Sequence, residues 1–268
     1  MCLIVWDWNP ASKELLLLGN RDEYYSRPTL PLHRWPDSKI CAGRDRLALG
    51  TWLGCSSDGR VAALTNFRTG RTPDPQATSR GDLVRSFLNS DSDSQSFLEN
   101  LATRSGYYNG FNLLVFDGQD LYGFESHTLR IRSMPAGISG VSNAGFDTLW
   151  PKLVLSKNRL KKLRKEGNKN IENYFSLLAD RHLAPEDGLP ETGIPKALEH
   201  QLSSVFIHMP GYGTRASSVV HVRASELSMT ERTFDSQGMQ GSVHLQWPLN
   251  NQRASGNSIL TSSTSKLS

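Results

Sequence analysis

A cysteine stands directly behind the initiator methionine. Removal of Met1 would leave Cys2 carrying both a thiol and its own α-amine. The ordinary pKa values of those two groups lie within about one unit of each other, so proton transfer between them is nearly isoergic. That pairing is the chemistry of an N-terminal nucleophile, in which the amine serves as the base. A second dense cluster, Asn20-Arg21-Asp22-Glu23, supplies an amide, a guanidinium and two carboxylates. Two apolar runs, Leu3 to Trp8 and Leu15 to Gly19, separated by a turn over Asn9 to Lys13, predict a hairpin that returns this cluster to Cys2. Strand alternation sends Asn20 and Asp22 to one face and Arg21 and Glu23 to the other. Asp22 is expected to face Cys2 and hold its α-ammonium, with Arg21 outside and paired to Glu23 or another acid. The competing role for Cys2 is that of a small apolar residue opening a strand.

Further polar groups close other apolar runs. Asn66 and Asn143 each end one. Asparagine is a poor strand former and a good turn residue, but an amide so placed can also donate to a developing oxyanion. Pro210 to Arg215 (PGYGTR) is a glycine-rich turn followed by a strand pattern rather than a helix, which excludes a dinucleotide site. Arg215 could lower a thiolate pKa or bind a carboxylate or phosphate. Asn20, Arg21, Arg27 and Tyr212 are the candidate ligand contacts, with Trp6, Trp8 and Trp52 as candidate apolar lining. Cys41 and Cys55 lack metal-ligand spacing and the seven histidines are scattered, so no metal and no required cofactor is expected.

The elements that must position these residues follow from periodicity. Strands are expected at Ala48 to Ser56 and Val61 to Phe67, after a Pro-rich connector from Arg27 to Asp37. Leu83 to Leu88 and Phe97 to Leu101 carry helical spacing. Phe111 to Phe116, Leu121 to Glu125 and Ile138 to Ser142 are strands; Trp150 to Lys165 and Ile171 to Leu178 are helices. Arg181 to Glu199 is a surface segment. Strands return at Val205 to His208, Ser217 to Val222, Leu227 to Thr233 and Val243 to Trp247. Short turns between strands predict antiparallel sheets, and two such sheets with helices outside bury both faces. This gives an α+β fold in one domain over 1–247, with a polar tail over 248–268 expected to be disordered.

Of the 268 residues, 37% are hydrophobic and 21% charged, an ordinary globular balance. No apolar run is long enough to cross a bilayer, and the start lacks the basic and apolar regions of a secretory signal. Three sparse cysteines fit a reducing compartment, so a cytoplasmic location is expected, with association to mitochondria or Golgi left open. The net charge of +4 is concentrated in Lys157 to Lys169, which holds seven basic residues and one acidic one. A solvated helix face explains that run; the alternative is weak contact with a membrane surface. It lacks the aromatic interleaving of a nucleic-acid surface, so no nucleic-acid partner is expected. No feature sets an oligomeric state.

In order along the chain, Met1-Cys2, Gly19 to Glu23 with Tyr25 to Pro28, Gly50 to Gly54, Ala63 to Phe67, Asn109 to Leu113, Ser142 to Ala144 and Pro210 to Arg215 resemble the NRDE family, also called the transport and Golgi organisation family. The resemblance runs from Met1 to about Trp247. It implies a branch of the N-terminal nucleophile hydrolases, a four-layer αββα sandwich distantly similar to bile-salt hydrolase, penicillin V acylase and acid ceramidase. Carried over from that group, Cys2 would be nucleophile and Asp22 its amine-binding partner. Asn66 and Asn143 would be the oxyanion and active-site asparagines, and Arg215 the late active-site arginine. The family departs from those hydrolases in placing Arg21 next to Asp22. The resemblance also links the chain to haem movement and to lipid or acyl-CoA metabolism. Two readings therefore stand side by side: a Cys2-dependent amidase on acyl amides or related acyl compounds, and a non-enzymatic carrier of haem or an acyl-lipid or acyl-CoA ligand.

Overall fold

The computed structural model describes residues 2–70 and 72–249, and among these fourteen strands and five α-helices are formed. In chain order they begin with β1 (Cys2–Asn9), β2 (Glu14–Tyr24), β3 (Thr29–Arg34), β4 (Ile40–Asp45), β5 (Leu53–Ser56), β6 (Val61–Asn66), α1 (Gly81–Asn89) and α2 (Ser94–Ala102). There follow β7 (Phe111–Phe116), β8 (Leu121–Glu125), β9 (Arg130–Ser133), β10 (Gly137–Val141), α3 (Pro151–Lys165), α4 (Ile171–Leu178) and α5 (Lys196–Gln201). The chain closes with β11 (His208–Met209), β12 (Tyr212–Arg223), β13 (Glu226–Asp235) and β14 (Gly238–Pro248).

These strands make two seven-stranded sheets whose pairings are antiparallel. The first has the order β10-β1-β2-β12-β13-β14, with β11 also on β12; the second is a meander from β3 to β9. The opening run of the sequence is apolar at nearly every position because β1 is buried on both faces. Ile4, Trp6 and Trp8 enter the core between the sheets, together with Leu15 and Leu17 from β2. Leu3, Val5, Leu16 and Leu18 face the other way, onto α3 and α4. On the far side, Leu83, Val84, Phe87 and Leu88 of α1 pack with Phe97 and Leu98 of α2 on the second sheet. The layers are thus αββα, as the sequence predicts.

Several expectations need correcting. The segment from Arg27 to Asp37 is more than a connector: it contains β3, an edge strand that tolerates Pro31 because one side of its ladder is unpaired. β4 and β9 carry weak strand patterns and were not anticipated. Val205 to His208 is largely irregular, with only His208 and Met209 pairing. Of the tail, Pro248 ends β14 and is ordered, while 250–268 lie outside the described residues. The basic run on α3 is partly tied into the fold: Lys157 pairs with Asp147, Arg159 with Asp180 and Arg164 with Asp7, each at 2.6 Å. No helix among the described residues is long and apolar enough to cross a membrane.

A buried carboxyl clasps the sheets together. The register of β3 shifts between Leu30 and His33, and the freed Leu32 N–H donates to Glu231 Oε1 of β13 at 2.7 Å. Ser218 Oγ donates to the other oxygen at 3.3 Å. Glu231 is 1% exposed, and burial pushes its carboxyl up from 4.5 to about 7. The folded protein therefore binds a proton here that the unfolded chain has released, so the contribution of this group to stability is greatest at low pH and declines as pH rises from 4.5 through about 7. Glu231→Gln keeps an acceptor for Leu32 and removes the titration. Urea unfolding followed from about pH 5 to pH 8 should show the native protein losing on the order of 3 kcal/mol relative to the variant, in which the other titrating groups are unchanged.

Candidate active site

Cys2 opens β1, and Arg21 stands directly opposite it across the hairpin. Opposed residues of an antiparallel pair share a face, so the thiol and the guanidinium both enter the space between the sheets. Asn20, opposite Leu3, turns to the helical layer, and Asp22 follows it. The expectation that Asp22 shares the face of the thiol and that Arg21 lies outside is therefore reversed. The Asp22 backbone N–H nevertheless lies near enough to the sulfur to pull the thiol's pKa down.

Around this pair lies a cleft of about 400 Å³. Its lining includes Cys2, Arg21, Asp22, Glu23, Arg27, Asp45, Trp52, Asn66 and Arg80. Asp45 is the hub of its charged wall. One carboxylate oxygen accepts from Arg27 Nε at 2.5 Å and Arg21 Nη2 at 3.2 Å, while the other accepts the N–H groups of Leu47 and Ala48. Arg21 lies over the Trp52 ring, 4.6 Å from its centroid. Burial pushes the Cys2 thiol above its ordinary value; Arg21 and the Asp22 N–H pull the other way.

Behind the thiol, Asp22 is 2% exposed. Burial raises its carboxyl, opposed by the charge of Lys152 and a hydrogen bond from Thr214 Oγ1 at 2.7 Å. Thr214 is fixed in turn, its hydroxyl accepting from Ile207 N–H at 2.9 Å. Lys152, at the start of α3, is buried, donates to the Leu202 carbonyl at 3.1 Å, and is pushed down by burial.

The asparagines divide. Asn66 ends β6 and lines the cleft. Asn143 is 1% exposed, and its side-chain amide donates to the Asn66 carbonyl at 2.9 Å, so it orients Asn66 from behind. Three other expected site residues do not line the cleft. Asn20 donates to the carbonyls of Leu178 and Val205 and accepts from Ser217, which exhausts its amide on the helical side. Arg215, thrown out of register by the bulge between Thr214 and Ala216, donates to the carbonyls of Phe234, Tyr24, Tyr25 and Arg27. It thereby fixes the turn that carries Arg27. Tyr212 donates its hydroxyl to the Asp22 carbonyl at 3.0 Å. Trp6 and Trp8 are core residues, and Trp52 alone of the tryptophans lines the cleft.

Asp45, Arg80, Lys152 and Thr214 were missed from the sequence. Thr214 lies beside Arg215 in the Pro210 to Arg215 turn, but Asp45, Arg80 and Lys152 sit in no motif whose spacing points to chemistry, and each of the four reaches the site through long-range packing. Among the described residues, no cluster could hold a metal ion.

A family model described as Transport and Golgi organisation 2 matches residues 1–236. The human Transport and Golgi organization protein 2 homolog is 34% identical over 259 residues, covering 87% of this chain and 93% of that protein. The mouse homolog is 33% identical with the same coverage. Among solved structures, the C2A mutant of conjugated bile acid hydrolase from Clostridium perfringens matches with a TM-score of 0.52 at 10% identity, covering 99% of this chain and 97% of that one. That likeness is one of fold alone.

Thr214→Val removes one hydroxyl that serves both Asp22 and Ile207 and leaves buried polar groups unmatched. It should cost about 1–3 kcal/mol in urea unfolding near neutral pH. Thr214→Ser, which keeps the hydroxyl and loses a methyl, should cost about 1 kcal/mol.

Proposed function

The chain belongs to the transport and Golgi organisation 2 family, and we propose that its cleft is the active site of a cysteine amidase acting on acyl amides or related acyl compounds. The observation that carries this reading is the convergence on one cleft of the Cys2 thiol at the first strand position, the Arg21 guanidinium opposite it, and Asn66. These are a nucleophile, a cation that favours its thiolate, and an amide able to meet an oxyanion.

The chemistry begins with removal of Met1, which frees the α-amine of Cys2. The thiol proton passes to that amine as the sulfur attacks the amide carbonyl, forming the C–S bond and a tetrahedral oxyanion. The Asn66 amide donates to this oxyanion. Collapse breaks the C–N bond, the ammonium returns its proton to the leaving amine, and an acyl-enzyme thioester remains. Water, deprotonated by the same amine, then hydrolyses the thioester and restores the thiol. Asp22 serves the ammonium rather than the thiol, because it lies on the opposite face of the strand and its carboxyl is buried beside the start of β1. Asn143 and Tyr212 act as positioning residues, holding the carbonyls of Asn66 and Asp22.

A carrier of haem or an acyl-lipid ligand is the second reading. The arginines lining the same cleft favour it, since they could hold a carboxylate or phosphate without any reaction. The two readings differ in what Cys2 does.

Mature protein lacking Met1 should turn over acyl amides. Cys2→Ala should lose at least about a thousandfold in kcat with its melting temperature nearly unchanged. Asn66→Ala should lose about a hundredfold or more. Retention of full turnover by Cys2→Ala would end the amidase reading; ligand binding with no turnover in any variant would favour the carrier. Limiting iodoacetamide with peptide mapping gives an independent check. Cys2, which lines the cleft, should alkylate ahead of Cys41 and Cys55, which are buried in the core between the sheets.

A further inference from the structure

Three guanidinium groups line the cleft, from Arg21, Arg27 and Arg80. Arg27 is engaged: it donates to Asp45 at 2.5 Å and lies 3.9 Å from Glu23. Arg21 places Nη2 near the same two acids, at 3.2 and 3.6 Å. Its Nη1, however, is fully buried and has no hydrogen-bond partner, although the side chain is only 6% exposed. A buried donor left in that state is costly unless a ligand meets it. Arg80, half-buried at the start of α1, donates Nη1 to the Gly110 carbonyl at 3.1 Å. Among the described residues no carboxylate lies within ion-pair distance of it.

The local charges do not cancel. Asp45 and Glu23 offset Arg21 and Arg27. Asp22 is turned to the other face, where Thr214 and Lys152 attend it. The charge of Arg80 is left over, so the cleft has one positive charge more than its acids neutralise. Both Arg21 and Arg80 are close enough to the thiol to interact with its charge. Trp52, Leu64, Pro75 and Ala77 complete the lining with apolar surface.

We infer that the cleft takes an acyl compound bearing a carboxylate near its scissile amide, bound by the free Nη1 of Arg21 and by Arg80. This deepens the amidase reading and rests on it for the word substrate. A monoanion matches the single excess charge, where a phosphate dianion would overmatch it. The carboxylate could sit on the leaving amine or on the acyl chain; the recognition chemistry is the same, and two probe pairs separate the sources.

Binding is measured by calorimetry on Cys2→Ala protein, which cannot turn over. One pair is N-butanoylglycine against neutral N-butanoylglycinamide, and the other is glutaric acid monoamide against neutral glutaric diamide. The acid should bind at least about tenfold tighter than its neutral partner in one of the pairs, and that pair identifies the source of the carboxylate. Adding Arg80→Gln should bring the ratio close to one, and Arg21→Gln should do the same if it folds. Arg80 is half-exposed, so its variant keeps the test usable if the Arg21 variant fails. Equal binding of acid and neutral compound in both pairs overturns the inference, as does a preference that survives Arg80→Gln. Protein with Cys2 intact and Met1 removed is then assayed on the preferred acid. Turnover with a KM that rises in Arg80→Gln supports both the site and the hydrolysis. Charge-selective binding without turnover upholds the anion site and defeats the amidase reading alone.

Discussion

The placement of Cys2 against Arg21 across the β1–β2 hairpin is the constraint on which the rest of the site depends. In an antiparallel pair the register fixes which side chains share a face, and a slip of one residue would exchange every one of them. With Arg21 opposite Cys2, the thiol and a guanidinium enter the same cleft. Asp22 is then sent behind the strand, where it can serve only a group at the chain's start. The register is held by the core rather than by the site. Ile4, Trp6, Trp8, Leu15 and Leu17 must lie between the sheets while Leu3, Val5, Leu16 and Leu18 lie under the helices. Hydrophobic burial on both faces thus positions the polar end of the hairpin.

Around that hairpin the fold builds two separate supports. On the inter-sheet side, Asp45 holds Arg21, Arg27 and the loop after β4 through one carboxylate. On the helical side, Ile207, Thr214 and Asp22 form a relay of hydrogen bonds, with Lys152 supplying positive charge nearby. Arg215 and Asn143 work at one remove, by fixing backbone carbonyls. Their amide and guanidinium groups are what a reactive site would use, but here they are engaged by the protein itself. A polar side chain that ends a buried strand must satisfy its donors, and the nearest acceptors are often the carbonyls of neighbouring loops.

The family match and the αββα layering are consistent with one another, and the cleft gives them chemical content. A fold shared with hydrolases does not carry an activity by itself. Here the weight rests on the position of one thiol and on the charges that converge on it.

Much was legible before any coordinates. The nucleophile candidate, the hairpin that returns Asn20 to Glu23 to it, and the two layers of antiparallel strands under helices all follow from residue order and local periodicity, whereas the site role of Asn66 is implied only by the family resemblance. The strands missed, β4 and β9, are short and polar enough to lack a clear alternation, and β3 hides Pro31 at a sheet edge. What only the tertiary structure decided was orientation and partnership. Parity alone shows that Arg21 and Asp22 face opposite ways, but the register says which of them meets Cys2. Asp45 enters the cleft from the end of β4 and Arg80 from the start of α1, and Glu231 meets Leu32 from the other sheet. Such contacts arise from how the two sheets stack, a relation that local propensity does not encode. The sequence determined which groups are available for chemistry, and the packing of the sheets decided which of them share one cleft.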